Sequence, residues 1–213
     1  MSHTGILFDL DGVLIDSERK YTRIWAEVDR MYPTGVEDFP RVIKGMTLSD
    51  ILSKYFPEEL HRRVTDYCID QERKLTFGYM PGAGELLAEL RRRGVPAALV
   101  TSSDMAKMER LRAVMPDLLQ WFSAVVYGEM VSHGKPAPDP YLLGAEMLGV
   151  SPARCAVVED SLSGLASGRA AGAYLVGMTD TLGRKAIEGN ADVVLDSLED
   201  LDLDSLLKEL RGR

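Results

Sequence analysis

Four short apolar runs most constrain what this chain can fold into. They are Ile6-Leu7-Phe8, Val95 to Val100, Ala124-Val125-Val126 and Cys155-Ala156-Val157-Val158. Three of them end abruptly in acidic or hydroxyl residues: Asp9, then Thr101-Ser102-Ser103-Asp104, then Glu159-Asp160-Ser161. Apolar runs of this length, bounded by polar clusters, predict strands buried on both faces. Helical patterns lie between them over 85–93, 104–115, 118–122, 138–148 and 161–171. Two further strands are expected at 173–176 and 193–195, and a terminal helix at 205–210. Alternating strands and helices imply right-handed crossovers and a parallel sheet covered on both faces, an α/β fold. Such sheets bind ligands outside the carboxyl ends of their strands, where the polar clusters fall.

Residues 16–80 have a different texture, with no strand pattern. Tyr21, Ile24, Trp25, Val28 and Met31 recur at helical spacing, so a helix is expected from 16 to about 32, stopped by Pro33-Thr34-Gly35. Thr47 or Ser49 suits the N-cap of a segment reaching Phe56, and Pro57 opens a helical pattern from Glu58 to about Phe77. The chain thus divides into a core of residues 1–15 and 81–213 and an all-helical cap of residues 16–80. The cap is inserted just after the first acidic cluster, where it can form a lid.

That first cluster, Asp9-Leu10-Asp11-Gly12, places two carboxylates two residues apart. If the chain stays nearly extended through Leu10, both point the same way, and Gly12 lets the backbone leave the sheet. Paired carboxylates, a hydroxyl cluster, Lys135 in Gly-Lys-Pro-Ala-Pro-Asp and Glu159-Asp160 together point to phosphoryl transfer. An anionic nucleophile about 4 Å from a phosphoryl charge is repelled by roughly 4 kcal/mol at an effective dielectric near 20. Counter-charge is therefore indispensable. Mg²⁺ held by Asp9 and Asp160, with Glu159 acting through water and Asp11 counted in the same acidic set, supplies part of it, and Lys135 the rest. Thr101 and the Ser102 N–H suit the phosphoryl oxygens. Asp9 is the expected nucleophile and Asp11 the group that moves the leaving-group proton.

Asp9-x-Asp11-Gly12-Val13, Thr101, Lys135 and Glu159-Asp160 resemble, in order and spacing, the four motifs of the haloacid dehalogenase superfamily. The resemblance covers the whole chain, including a small helical cap after the first motif. It implies a Rossmann-like core, Mg²⁺ dependence and an aspartyl-phosphate intermediate. Within the superfamily the chain is most similar to the β-phosphoglucomutase and sugar-phosphatase group. By analogy Ser17, Tyr21, Lys44 and Thr47 of the cap face the substrate. Where those mutases carry a histidine this chain has Tyr21, and where they carry an arginine it has Leu48, which cannot grip a second phosphate. The reading is a phosphatase acting on a small phosphorylated metabolite such as a sugar phosphate. A phosphohexomutase and a phospho-accepting signalling receiver are the alternatives.

The net charge of −8 argues against nucleic-acid and anionic-membrane partners. No apolar run approaches the roughly 20 residues of a membrane span, and the start of the chain has no signal-peptide pattern. A cytoplasmic monomer is expected. Cys68 and Cys155, far apart and in no paired motif, read as buried thiols. His3, His61 and His133 have no partner at ligand spacing, so no zinc is expected. Trp25 and Trp121 read as packing residues.

Overall fold

The computed structural model describes residues 4–213, apart from the side chains of Glu18 and Arg19. The expectation for His3 therefore lies outside the described residues. Six parallel strands form one sheet in the order β3-β2-β1-β4-β5-β6. They are β1 (Gly5–Phe8), β2 (Ala97–Val100), β3 (Ala124–Val126), β4 (Cys155–Glu159), β5 (Tyr174–Met178) and β6 (Val193–Leu195). In β1, Ile6 pairs with Ala97 on one side and Ala156 on the other, so the first acidic cluster leaves the sheet at its centre.

Strand side chains alternate between two apolar layers. Ile6 and Phe8 pack with Leu87 and Leu90 of α5 (Ala83–Arg92) and with Leu206 and Leu210 of the C-terminal helix α9 (Leu203–Gly212). Leu7 faces the other way, with Tyr141 and Ala145 of α7 (Asp139–Leu148) and Leu165 of α8 (Leu162–Ala170). The helix after β2, α6 (Met105–Val114), starts at Asp104, whose carboxylate accepts from the Lys107 N–H at 2.6 Å.

Between β1 and α5 lie α1 (Glu18–Met31), α2 (Phe39–Val42), α3 (Leu48–Tyr55) and α4 (Glu58–Glu72). They enclose an apolar cluster of their own, which includes Val28, Phe39, Ile43, Ile51 and Val64. Phe39 is fully buried against Trp25, Tyr55 and Phe56 in edge-on contacts.

The one-turn helix α2 was not expected, and α4 ends five residues before Phe77. The cause of the second difference lies in the returning chain. The Asp16 N–H donates to Gly78 O at 3.0 Å, the Asp16 carboxylate accepts from the Gly78 N–H at 2.7 Å, and the Met80 N–H donates to Leu14 O at 2.9 Å. Lys20 ties the same strands, donating to Thr76 O at 2.5 Å. That pairing needs backbone in extended form, and it prevails over the helical spacing of 73–77. At the other end of the loop Gly12 leaves the strand with φ +78°, as its position predicts.

None of the described helices is long and apolar enough to cross a membrane. Both cysteines are free and buried, and burial pushes each thiol up to about 12.

Candidate active site

The carboxyl ends of β1, β2 and β4 converge on Lys135. Its ammonium group is almost fully buried and donates to Asp9 Oδ1 at 2.5 Å, Glu159 Oε1 at 2.7 Å and Val100 O at 3.1 Å. All three of its hydrogens are thereby taken. Glu159 is equally committed: Tyr141 OH donates to Oε1 at 2.9 Å, and the Asp160 and Ser161 N–H groups both donate to Oε2 at 3.0 Å. The Ser161 hydroxyl also donates to Oε2 and accepts the Gly164 N–H as the cap of α8. A structural role for Glu159, holding Lys135 and the β4–α8 turn, is therefore direct.

Asp9, Glu159 and Asp160 each bring a carboxylate oxygen within 4.8 Å of the others, and all three are buried. Three buried carboxylates against one ammonium leave an excess of negative charge. Burial pushes Asp9 up to about 7; Glu159 and Asp11 add to this and Lys135 opposes it. An all-oxygen donor set with unbalanced negative charge fits a hard divalent cation. Asp9 and Asp160 are the carboxylates that would ligate it, since Glu159 is committed to Lys135 and the β4–α8 turn. Thr181 donates its hydroxyl hydrogen to Asp160 Oδ2.

Asp11 opens onto the same cavity as Asp9, but its carboxylate lies outside the acidic cluster. Lys107 donates to its Oδ2 at 2.7 Å, Ser103 to the same atom at 3.3 Å, and Ser17 to Oδ1. The turn that follows Leu10, in which the Leu14 and Ile15 N–H groups both reach back to Leu10 O, ends the extended backbone that would have kept the two aspartates parallel. The Asp11 carboxylate, expected in the acidic set, is held toward α6 by these bonds.

The other expected residues separate in the same way. Thr101, Ser102, Tyr21 and Lys44 line the cavity. Thr101 Oγ1 donates to Ser103 Oγ at 3.0 Å and accepts the Ser103 N–H. Ser102 donates to Gly45 O at 2.9 Å, reaching from the core to the helical insertion, and Ser163 does the same to Lys44 O at 3.2 Å. Lys44 points to Thr22 Oγ1 at 3.3 Å. Ser17, expected against substrate, is buried beneath Asp11. Thr47, also expected there, does not line the cavity: it caps α3, accepting the Asp50 N–H at 3.1 Å.

Sequence reasoning missed Lys107, Arg110, Glu72, Ser103 and Thr181, all on the cavity wall, and Tyr141 behind it. Lys107 and Arg110 carried a signal, being one helical turn apart just after the Thr101 cluster. Trp25, read as packing, also reaches the cavity.

The sequence profile of the haloacid dehalogenase-like hydrolases matches residues 3–172. Hexitol phosphatase A of Escherichia coli is 33% identical over 204 residues, covering 92% of each chain. The β-phosphoglucomutase of Bacillus subtilis is 30% identical, covering 96% of this chain and 94% of its own. The crystal structure of CbbY from Rhodobacter sphaeroides with phosphate superposes with a TM-score of 0.76 at 27% identity, covering 97% of this chain and 99% of that one. The chain belongs to the haloacid dehalogenase-like hydrolases and is an enzyme of the phosphoric monoester hydrolase type.

Proposed function

We propose that this protein is a Mg²⁺-dependent phosphatase of a small phosphorylated metabolite, a sugar phosphate or its close chemical relative, with residues 16–80 as its cap. The observation that carries the reading is the buried Lys135, which joins Asp9 to Glu159 beside Asp160 at the centre of a parallel sheet. The phosphatase names of relatives, Escherichia coli hexitol phosphatase A among them, support the substrate class.

In this reading Asp9 attacks phosphorus, the ester P–O bond breaks, and the leaving alkoxide takes a proton from Asp11. Water then attacks the phosphorus of the aspartyl phosphate, giving its proton to Asp11 and restoring the Asp9 carboxylate as phosphate departs. Bound Mg²⁺ supplies positive charge to the phosphoryl oxygens and keeps Asp9 ionised. Thr101 donates to a phosphoryl oxygen, and Lys135 holds Asp9 in line.

The test is a screen of phosphorylated metabolites with Mg²⁺, with Asp9→Asn as blank. Asp9-dependent phosphate release is the expected result, and its absence across the screen defeats the reading. Interconversion of glucose 1-phosphate and glucose 6-phosphate without net release would make the enzyme a mutase instead. Leu48 on the cavity wall, where an arginine would grip a second phosphate, favours hydrolysis.

A further inference from the structure

Above Asp11 the cavity wall consists of two kinds of surface. Ile24, Trp25, Ile43, Met46 and Ile51 present hydrocarbon. The end of α4 presents Glu72, which among the described residues is the one carboxylate that α1–α4 place on this cavity. Its side chain is 15% exposed, and its Oε2 accepts from Arg110 of α6, across the seam between insertion and core. Burial pushes its carboxyl upward while Lys107 and Arg110 oppose that shift. Among the described residues, no hydrogen bond engages Oε1.

A half-buried ion pair is a poor way to hold two surfaces together, because its desolvation offsets most of its attraction. Its chemistry suits another task. A carboxylate only accepts, a guanidinium only donates, and a hydroxyl group does both. Glu72 and Arg110 side by side therefore match a hydroxyl on a carbon skeleton whose C–H face lies along Trp25 and Met46.

Resting on the phosphatase reading above, we propose that Glu72, oriented by Arg110, is a specificity-determining residue that accepts a hydrogen bond from a hydroxyl of the leaving group. The preferred substrates are then phosphate monoesters of polyhydroxylated carbon chains or rings.

The test compares glucitol 6-phosphate with n-hexyl phosphate, primary esters of equal chain length that differ in their hydroxyl groups. The wild-type enzyme is expected to favour glucitol 6-phosphate in kcat/KM by about a hundredfold or more, since a polar site left unmatched discriminates strongly. Glu72→Met is expected to lose about tenfold or more on glucitol 6-phosphate, chiefly in KM, with hexyl phosphate within about twofold. Glu72→Gln, which keeps an accepting oxygen, is expected to retain most of the preference. Equal losses of Glu72→Met on both esters would reduce the pair to a latch and overturn the proposal. So would a wild-type enzyme that turns over hexyl phosphate as well as glucitol 6-phosphate and glucose 6-phosphate, a comparison that needs no variant. Failure of the wild type on every ester, with Mg²⁺ present, would instead overturn the phosphatase reading.

Discussion

Lys135, buried, and Lys107, partly exposed, are each paired with an aspartate of the same loop, yet their surroundings differ. Lys135 donates to acceptors at the ends of β1, β2 and β4, all within the sheet. Lys107 holds Asp11 on one side and on the other lies 3.9 Å from the centre of the Tyr21 ring in α1. Desolvation lowers both groups, and the neighbouring carboxylates outweigh it, so both stay protonated well above neutral pH. The floor of the site is thus complete within the core, whereas its wall is complete only with α1–α4 in place. In the proposed function the first carries the chemistry and the second the recognition of substrate.

The largest expected effect separates the two regions directly. Asp9→Asn should lower turnover of every ester by at least about 10⁴-fold, as loss of a nucleophile does. Asp11→Asn should cost about 10²–10⁴-fold on alkyl phosphates and far less on aryl phosphates, whose leaving groups need no proton. Equal losses on both classes would remove Asp11 from proton transfer. Lys135→Met leaves Asp9 and Glu159 uncompensated in the interior, so unfolding in urea should show a loss of about 3–5 kcal/mol. A loss below about 1 kcal/mol would mean the floor is not held as described.

The seam between floor and wall is probed at Gly45. Its φ is +80°, and a Cβ there would lie 2.1 Å from Ser163 Oγ and 2.8 Å from Ser161 Oγ. Gly45→Ala should lower kcat/KM about tenfold by pushing the Lys44-Gly45 turn off Ser161 and Ser163 while costing about 1 kcal/mol of stability. Unchanged kinetics would show that the site does not need this contact.

The smallest effect concerns pH. Asp9 rises from 3.8 to about 7 on burial, so without metal the folded state holds this proton more tightly than the unfolded chain. Stability of the metal-free protein should therefore fall as pH climbs through that window. A divalent cation competes with the proton at Asp9, so the Mg²⁺-induced rise in Tm should be larger near about pH 8 than near about pH 5, by about 2–4 °C. Thermal melts of wild type and Asp9→Asn would check this, and a difference that survives in the variant would place its origin elsewhere.

The floor was legible in the sequence because its acidic and hydroxyl motifs each end a strand, and strand ends in a parallel sheet meet. Asp9, Thr101, Glu159 and Asp160 are of that kind, whereas Lys135 lies in the turn before α7, nine residues past β3, and reaches them with its long side chain. The wall was not, because it depends on how helices dock. Glu72 and Arg110 are ordinary charged residues until α4 and α6 face one another, and Tyr141 reads as an apolar helix residue until Glu159 lies over it. Thr47, beside the Lys44-Gly45 turn, meets a more local need, the open N–H groups at the start of α3.

The paired strands at Leu14–Asp16 and Gly78–Met80 carry one more implication. A segment whose entry and exit adjoin, and which encloses its own apolar cluster, is attached to the sheet like a cassette. Grafting a different helical unit between those two splice points should leave Asp9, Lys135, Glu159 and Asp160 in place while changing the wall that faces them.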